Sequence, residues 1–228
     1  MPNQNKNMKK LKNFITPLHT KTKRNYIQRM VNNKIECMRV AKKYGKDYWD
    51  GNRKFGYGGY KYIPGRWRPV AKALIKNYKL GRKSKILDAG CGKGFLLYEM
   101  KLLEPELEIM GFDISAYATK KAPKEIRSNI FRHDISNKFP FKKNQFDLVI
   151  SSGTLHNLSI FDVKKALKEI KRVGKSAYIM VESYRNLREL FNLQCWALTC
   201  EIFLKKSDWI KLFKEINYFG DYEFIYFT

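Results

Sequence analysis

A short glycine-rich segment directly follows an apolar run in this chain of 228 residues. The apolar run at residues 85–89 (KILDA) predicts a buried strand. Residues 90–94 (GCGKG) follow it and precede a predicted helix that begins at Phe95. Glycine at such a turn lets the backbone take unusual dihedral angles and approach a ligand closely. A dinucleotide turn requires a third glycine where Phe95 stands, and a phosphate-binding loop requires Ser or Thr where Gly94 stands. Neither template fits this segment.

The pattern Asp-x-Gly-x-Gly-x-Gly at residues 88–94 resembles motif I of the class I S-adenosylmethionine-dependent methyltransferases. Asp113 ends the next predicted strand, 25 residues after Asp88, and an acidic residue there can accept hydrogen bonds from both ribose hydroxyls. Asp134 follows the third predicted strand, a position at which members of the family commonly bind the adenine amino group. Residues 146–158 resemble the fourth strand and the loop that carries reacting groups, so the likeness covers roughly residues 70–183.

The resemblance implies that the chain binds S-adenosyl-L-methionine and releases S-adenosyl-L-homocysteine. It implies that Asp88 organises the turn, while Gly90 and Gly92 let the backbone approach the methionine moiety and the ribose. The methyl group on a sulfonium is already electrophilic, so the protein mainly holds the nucleophile in line and excludes water. No metal is expected. The candidate cofactor-binding residues are Asp88, Gly90, Cys91, Gly92, Asp113, Ile114, His133, Asp134, Ile135 and Ser151.

His156 is the candidate catalytic residue. It lies just beyond the fourth predicted strand, and ligands of open α/β sheets bind outside the carboxyl ends of the strands. A histidine there can deprotonate a hydroxyl or an amine, because its unperturbed pKa is near neutrality. A helix-capping or hydrogen-bonded structural histidine is an equally good interpretation of the sequence.

Two segments are candidates for contact with the substrate. Residues 57–67 combine glycine with tyrosine, arginine and tryptophan, in the position where many class I methyltransferases have a lid over cofactor and substrate. Aromatic residues in a lid exclude water, and their faces suit a cationic sulfonium. The alternative is a loop that anchors its aromatic side chains in the core. Residues 182–185 follow the fifth predicted strand, where Arg185 either holds an anion or pairs with Glu182 or a helix carboxylate. The candidate substrate residues are Tyr57, Tyr60, Tyr62, Arg66, Trp67, Glu182, Tyr184 and Arg185.

The elements that must position these residues alternate along the chain. From residue 85 onward, short β-rich runs alternate with helical stretches, which predicts an α/β fold with a doubly wound, mostly parallel sheet and helices on both faces. We expect six to seven strands; six can be counted, whereas the family's common sheet has seven and ends antiparallel. A helix is predicted over residues 24–44. The predicted organisation is a flexible basic arm (1–24), a helical extension with a Gly/Tyr-rich lid (25–82) and a cofactor-binding catalytic domain (83–228).

Charge is distributed unevenly along the chain. The whole sequence has 46 Lys and Arg against 21 Asp and Glu, a formal net charge of +25. Residues 1–82 hold 22 basic and 3 acidic side chains, so +19 of that charge lies in the first third. Such a field favours anionic partners: nucleic acid, a phosphate-bearing metabolite or an anionic membrane surface.

The remaining composition favours a cytoplasmic enzyme. No run approaches the length of a membrane span, and the first 13 residues lack the apolar core of a secretory signal. The four cysteines fit neither a zinc site nor a dense disulfide framework, as expected for reduced thiols.

The expected function is methyl transfer to an oxygen or nitrogen of a small, anionic metabolite. Residues 182–186 and the ending GDYEFIYF also resemble a group of small bacterial methyltransferases of undefined substrate, which suggests a nucleotide-linked or surface-glycan precursor. The alternative is an RNA methyltransferase that contacts phosphates through its basic first third. A non-enzymatic binding module would need a broken cofactor site, yet motif I and Asp113 are intact. The chain is expected to be a monomer or a homodimer.

Overall fold

A six-stranded parallel sheet forms the centre of residues 10–228, the part of the chain that the computed structural model describes. The strands are β1 (Lys85–Ala89), β2 (Glu108–Asp113), β3 (Ile130–Arg132), β4 (Phe146–Ser152), β5 (Gly174–Glu182) and β6 (Asp221–Ile225). Their order is β3-β2-β1-β4-β5-β6, and every neighbouring pair is parallel. The predicted α/β fold is therefore confirmed: the sheet of residues 10–228 has the six strands counted in the sequence, all parallel, without the antiparallel seventh strand of the family's common sheet.

Helices cover both faces of this sheet. They are α1 (Thr16–His19), α2 (Tyr26–Val31), α3 (Lys34–Ala41), α4 (Lys46–Asp50), α5 (Arg68–Asn77), α6 (Phe95–Leu103), α7 (Ala116–Lys120), α8 (Ile160–Val173), α9 (Leu187–Trp196) and α10 (Lys206–Glu215). Successive β1 residues point to opposite faces, so Ile86 packs in the cluster of α5 and α6 while Leu87 packs with α8 and α10. Within residues 10–228, no helix has the length and apolar character needed to cross a bilayer.

The strand order reverses between β1 and β4. The chain builds β2 and β3 on one side of β1, then returns to place β4, β5 and β6 on the other side. A crevice forms at the carboxyl ends of the strands where the order reverses, because the flanking connections leave in opposite directions. The loops after β1 and β4 meet in that crevice.

The described part of the predicted arm, residues 10–24, packs against the edge of the sheet. The backbone N–H groups of residues 14–16 donate to the buried carboxylate of Glu223 on β6, at 2.6 to 3.2 Å. This placement differs from the expected flexible arm, because a carboxylate more than 200 positions away satisfies these backbone donors. Residues 1–9 of that arm lie outside the described residues.

The predicted helix over residues 24–44 is divided in two. Asn33 has a φ of 47°, a left-handed conformation that ends α2 and starts α3 in a new direction. Asparagine tolerates this conformation better than most residues, which explains why the break falls there. As a result α2 packs against α9, near the carboxyl ends of the strands.

Replacing Glu223 with glutamine is expected to lower the free energy of unfolding by about 2 kcal/mol, because an amide nitrogen would face buried donors. Those donors include the Tyr178 hydroxyl, which lies 2.6 Å from the carboxylate. Urea denaturation measures the change. The control Glu215→Gln removes an exposed ion pair with Lys164 and should cost at most about 0.5 kcal/mol. Equal losses in the two variants would contradict the anchoring role of Glu223.

Candidate functional site

The glycine turn joins β1 to α6 at the carboxyl edge of the sheet. Gly90, Gly92 and Gly94 have φ values of 88°, 57° and 71°, a region that glycine adopts without strain. The Gly90 N–H donates to the carbonyl of Phe112 at 2.8 Å, which fastens the turn to the end of β2. A Cβ at Gly90 would collide with the side chain of Thr154, so the loop after β4 also requires glycine here.

Asp113 holds the turn from the end of β2. Its Oδ2 accepts the Gly92 N–H at 2.8 Å, and its Oδ1 accepts the Ser115 N–H at 2.8 Å. Burial raises the pKa of this carboxyl, whereas the two N–H groups stabilise its charged form. Each carboxylate oxygen still has a lone pair, so Asp113 can accept further hydrogen bonds from a ligand.

Two buried polar atoms beside the turn have no hydrogen-bond partner within residues 10–228: Oδ1 of Asp88 and Nε2 of His133. Burial, with the nearby charge of Asp113, raises the pKa of Asp88 to about 7. Neither carboxylate forms an ion pair with a lysine or arginine of the described chain. An unpartnered carboxylate oxygen and a negative charge without an ion-pair partner fit a cationic ligand that brings its own donors, as S-adenosylmethionine does.

Three further candidate cofactor residues are Ile114, Cys91 and Asp134. The Ile114 side chain is exposed. The Cys91 thiol lies near Gly111 of β2, and burial raises its pKa well above the usual value. Oδ1 of Asp134 accepts hydrogen bonds from Ser136, which leaves its other oxygen for a ligand.

Two of the candidates are tied into the fold instead. Ile135 is buried in the main hydrophobic core. The Ser151 hydroxyl donates to the Ala89 carbonyl at 2.8 Å, across the β1–β4 pair. The structure thus gives both side chains structural contacts.

An aromatic lid, which we define as residues 44–67, covers the glycine turn. A Cβ at Gly92 would lie 2.7 Å from Cη2 of Trp49, so the indole rests directly on the turn. Trp49 Nε1 donates to Ser115 Oγ at 2.9 Å, and the Tyr57 ring stacks on the indole at 5.2 Å with a 9° interplanar angle. Tyr60 stacks in turn on Phe95, the first residue of α6, at 5.0 Å. Trp49 was missed by the sequence analysis, although it stands eight residues before the Gly-Tyr segment.

Asp50 anchors the lid to the turn itself. Its carboxylate lies 2.7 Å from Lys93 Nζ and accepts hydrogen bonds from the Tyr117 hydroxyl and the Tyr60 N–H. Lys93 occupies a variable position of the glycine pattern and is almost fully buried. The sequence gives no signal for this pair, because 43 positions separate its members.

Glu99 provides a second anchor on α6. Its fully buried carboxylate accepts from the Tyr62 hydroxyl at 2.7 Å, the Gly65 N–H at 2.7 Å and Arg68 Nε at 3.0 Å. Tyr62 therefore fixes the lid through its hydroxyl. Of the remaining lid candidates, Arg66 is exposed and Trp67 packs partly against the core.

His156 and Glu182 form a pair at the ends of β4 and β5. The Glu182 N–H donates to His156 Nδ1 at 3.2 Å, and His156 Nε2 lies 3.4 Å from Glu182 Oε2. Burial lowers the pKa of His156, so the ring is neutral, with its proton on Nε2 facing the carboxylate. Nδ1 is thus occupied and Nε2 faces the carboxylate within a buried ring, so the partly exposed carboxylate is the accessible member of the pair.

The other two residues after β5 have structural partners. The backbone of Tyr184 forms a parallel bridge with Lys205. The Arg185 guanidinium donates to the buried carboxylate of Glu189 on α9 and lies 4.2 Å from the ring centroid of Tyr226. Arg185 therefore adopts the pairing with a helix carboxylate that the sequence left open.

The sequence profile of a family described as "Methyltransferase domain" matches residues 80–220. This match spans more than half of the chain and includes the glycine turn, Asp113 and the His156–Glu182 pair.

Curated relatives match over parts of their length. A demethylmenaquinone methyltransferase of Thermotoga maritima is 28% identical over 142 residues, which is 62% of this chain and 58% of the relative. A malonyl-[acyl-carrier protein] O-methyltransferase of Legionella pneumophila is 34% identical over 39% of this chain and 32% of its own. A ribosomal RNA small subunit methyltransferase C of Buchnera aphidicola is 33% identical over 38% of this chain and 26% of its own. The match thus spans between about a quarter and three fifths of each relative.

Solved structures share the fold. A complex of the Trm112 methyltransferase activator with a methyltransferase candidate, from Haloferax volcanii, contains a similar chain with a TM-score of 0.54 and 19% identity, covering 66% of this chain and 67% of that one. The YcgJ protein of Bacillus subtilis has a TM-score of 0.50 and 19% identity, covering 64% and 66%.

Asp88 is expected to make the stability of the ligand-free protein fall as the pH rises from 5 to 8. Between the unfolded pKa near 4 and the folded pKa of about 7, the folded state holds a proton that the unfolded state has lost. The free energy of unfolding falls by at most about 4 kcal/mol over this pH range, and the substitution Asp88→Asn removes this pH dependence. Urea denaturation at each pH measures the difference between wild type and variant, with the exposed Asp208→Asn as a control that keeps the wild-type slope. An unchanged slope in Asp88→Asn would contradict the raised pKa.

Proposed function

The chain belongs to the class I, Rossmann-like, S-adenosylmethionine-dependent methyltransferases, and from this premise we propose that it transfers a methyl group from S-adenosylmethionine to a small anionic acceptor. The accepting atom is an oxygen or a nitrogen. The observation that carries the proposal is the buried pair of carboxylates, Asp88 and Asp113, at the glycine turn without a cationic partner in the described chain. Their charge complements a cofactor that carries a sulfonium and an ammonium group.

Three aspartates would hold the cofactor. Asp113 has lone pairs for the ribose hydroxyls, and Asp134 has a free oxygen for the adenine amino group. Asp88, with its unpartnered Oδ1, would face the cationic part of the ligand. When bound, S-adenosylmethionine supplies a methyl group on a positively charged sulfur, which needs no further activation.

The lid would exclude water from the reacting groups. Trp49, Tyr57 and Tyr60 form a continuous aromatic stack over the turn, and aromatic faces stabilise a nearby cation. Because the indole of Trp49 rests on Gly92, we expect the lid to move outward when the cofactor enters.

Glu182, rather than His156, would take the proton from the acceptor. A hydroxyl or ammonium acceptor must lose a proton during transfer, and a general base needs a free lone pair that faces the substrate. His156 Nδ1 is occupied by the Glu182 N–H, so the ring acts as a positioning residue, with Nε2 3.4 Å from the carboxylate. This assignment transfers the predicted role of base from His156 to its hydrogen-bonded partner Glu182.

RNA is the second candidate acceptor. The charge of +19 within residues 1–82 favours it, as does the similarity to a ribosomal RNA methyltransferase. A nucleotide-linked or surface-glycan acceptor, a cytoplasmic location and a monomeric or homodimeric state also stay predictions.

Methyl-labelled S-adenosylmethionine distinguishes the two acceptors. The full chain is incubated with the small-molecule fraction of a cell extract and, separately, with its RNA fraction, and the incorporated label is counted. We expect label in the small-molecule fraction, at a rate that depends on enzyme concentration. Label confined to RNA would replace the proposal with its alternative, and absence of label from both fractions would contradict both.

Asp113→Asn is expected to weaken the binding of S-adenosylhomocysteine at least tenfold, because the amide removes one acceptor and the charge that hold the turn and the ribose. Isothermal titration calorimetry of the full chain measures the affinity. Asp208→Asn, on the surface of α10, should bind like wild type. Wild-type affinity in Asp113→Asn would place the cofactor site elsewhere.

Glu182→Gln is expected to lower kcat by roughly a hundredfold at unchanged S-adenosylhomocysteine affinity, since it removes the proton acceptor but keeps the size of the side chain. His156→Gln should lower kcat less and shift the pH–rate profile, because it acts through Glu182. Turnover is measured with the labelled acceptor fraction. The matched control, Glu201→Gln, breaks an exposed pair with Lys42 and should leave kcat unchanged. A wild-type kcat in Glu182→Gln would refute its role as the base.

A further inference from the structure

Three arginines surround the indole of Trp196 at the carboxyl-terminal end of α9. The guanidinium carbons of Arg24, Arg29 and Arg53 lie 5.4, 4.9 and 5.2 Å from a ring centroid of Trp196. Arg24 directly precedes α2, Arg29 lies on α2, and Arg53 lies in the lid, so two separate segments of the chain converge on one ring. We call Arg24, Arg29 and Arg53 the arginine cluster.

No carboxylate forms an ion pair with the arginine cluster in residues 10–228, and only Glu182 acts on it, through Arg24 and from a longer distance. The arginines that form ion pairs there are Arg39, Arg68, Arg82, Arg172 and Arg185. Residues 1–9 contain no acidic side chain that could supply a partner. Burial lowers the pKa of all three guanidinium groups, and the charge of Arg53 lowers the pKa of the other two further. Partly desolvated like charges without a counter-ion raise the free energy of the folded state, and a bound anion would relieve that cost.

Each guanidinium is fixed by backbone carbonyls yet retains free donors. Arg29 Nη1 donates to the carbonyl of Arg53 at 2.6 Å, and Arg53 Nη1 donates to the carbonyls of Gly56 and Tyr57. Arg24 Nε is buried and has no partner among the described residues. Guanidinium groups whose planes are held in place lose little further entropy when they bind a ligand.

Capping of the carboxyl terminus of α9 explains the position of only one member of the arginine cluster, Arg29. Lys34 Nζ donates to the carbonyls of Cys195 and Ala197, and Arg29 Nε donates to the carbonyl of Trp196 at 3.4 Å. These bonds satisfy the last carbonyls of α9, as cations at a helix carboxyl terminus commonly do. Arg24 and Arg53 donate to carbonyls outside α9, so the end of this helix does not explain their position beside Trp196.

The arginine cluster adjoins the proposed catalytic groups. Arg53 is bonded to the backbone of Tyr57, whose ring stacks on Trp49 above the glycine turn. Glu182 ends β5 opposite Ile225 of β6, and the Arg24 guanidinium carbon lies 5.2 Å from the ring centroid of Phe227, two residues further on. The proposed base and Arg24 therefore both lie at the carboxyl ends of β5 and β6, where the charge of Glu182 raises the pKa of Arg24.

There is room for a ligand beside Arg24. A cavity of about 410 Å³ opens there, and its lining includes Lys23, Tyr26, Tyr226 and Thr228, with Arg24 as the one member of the arginine cluster that lines it.

We propose that the arginine cluster binds the anionic group, a phosphate or a carboxylate, of the methyl acceptor. The inference rests on the proposed function, because it assigns the acceptor of the same site. The planar fork of a guanidinium matches either group with two parallel hydrogen bonds, and stacking on Trp196 keeps that fork oriented. The arginine cluster would thus select acceptors that carry an anion at one end and the methyl-accepting atom at the other.

Calorimetric titration of the full chain with pyrophosphate and with citrate, at constant ionic strength, tests the arginine cluster. We expect wild type to bind at least one of them, and Arg24→Gln and Arg53→Gln each to weaken that binding at least tenfold. The matched control is Arg82→Gln, which removes an exposed arginine that precedes β1 and pairs with Glu106. Stronger binding of pyrophosphate identifies a phosphate as the recognised group, and stronger binding of citrate identifies a carboxylate.

Lack of binding to both anions in wild type, or equal affinity in Arg53→Gln and Arg82→Gln, would overturn the inference. Binding of an RNA oligonucleotide that requires Arg53 but is not displaced by either anion would also overturn it. Titration with S-adenosylhomocysteine separates the two proposals: a chain that binds pyrophosphate through Arg53 but not S-adenosylhomocysteine keeps the anion site and loses the methyltransferase function. If Arg24→Gln fails to fold, the exposed Arg53 carries the test alone.

Discussion

The contact between Asp113 and the Gly92 N–H is the interaction on which the rest of the site depends. The same carboxylate accepts the Ser115 N–H, and Ser115 Oγ in turn accepts the Trp49 indole N–H and donates to the Tyr44 carbonyl. One buried charge therefore fixes the glycine turn, the end of β2 and the lid relative to one another. Its burial is costly without these donors, so the carboxylate and the surrounding loops adopt their positions together.

The sequence predicts those parts of the site that local pattern controls. The glycine turn, the strand ends at Asp88 and Asp113 and the parallel sheet follow from apolar runs and glycine spacing, and the structure places them at one edge. Contacts between distant segments leave no such pattern. Trp49 on Gly92, Asp50 with Lys93 and the backbone of residues 14–16 on Glu223 depend on packing that composition does not encode. The predicted flexible arm and the single helix over residues 24–44 differ from the structure for this reason.

The choice between His156 and Glu182 shows a different limit of the sequence. Intrinsic pKa values favour histidine as a base near neutral pH, and its position after β4 is suitable. The fold removes that advantage, because burial disfavours the imidazolium and the Glu182 N–H occupies the lone pair on Nδ1. The partly exposed carboxylate of Glu182 is therefore the member of the pair that we propose as the base. In this proposal the accessible lone pair, rather than the residue type, decides the choice.

The charges of the cleft are divided between two ends. Carboxylates without an ion-pair partner lie at the glycine turn, whereas arginines without an ion-pair partner surround Trp196, and the lid contacts both through Trp49 and Arg53. A cationic cofactor at the first end and an anionic acceptor at the second would each reduce the electrostatic free energy of its own end. Exchanging the two ligands would place like charges together at both ends, which is strongly unfavourable in a partly desolvated cleft. The opposite charges at the two ends would thus orient the cofactor and the proposed acceptor relative to one another.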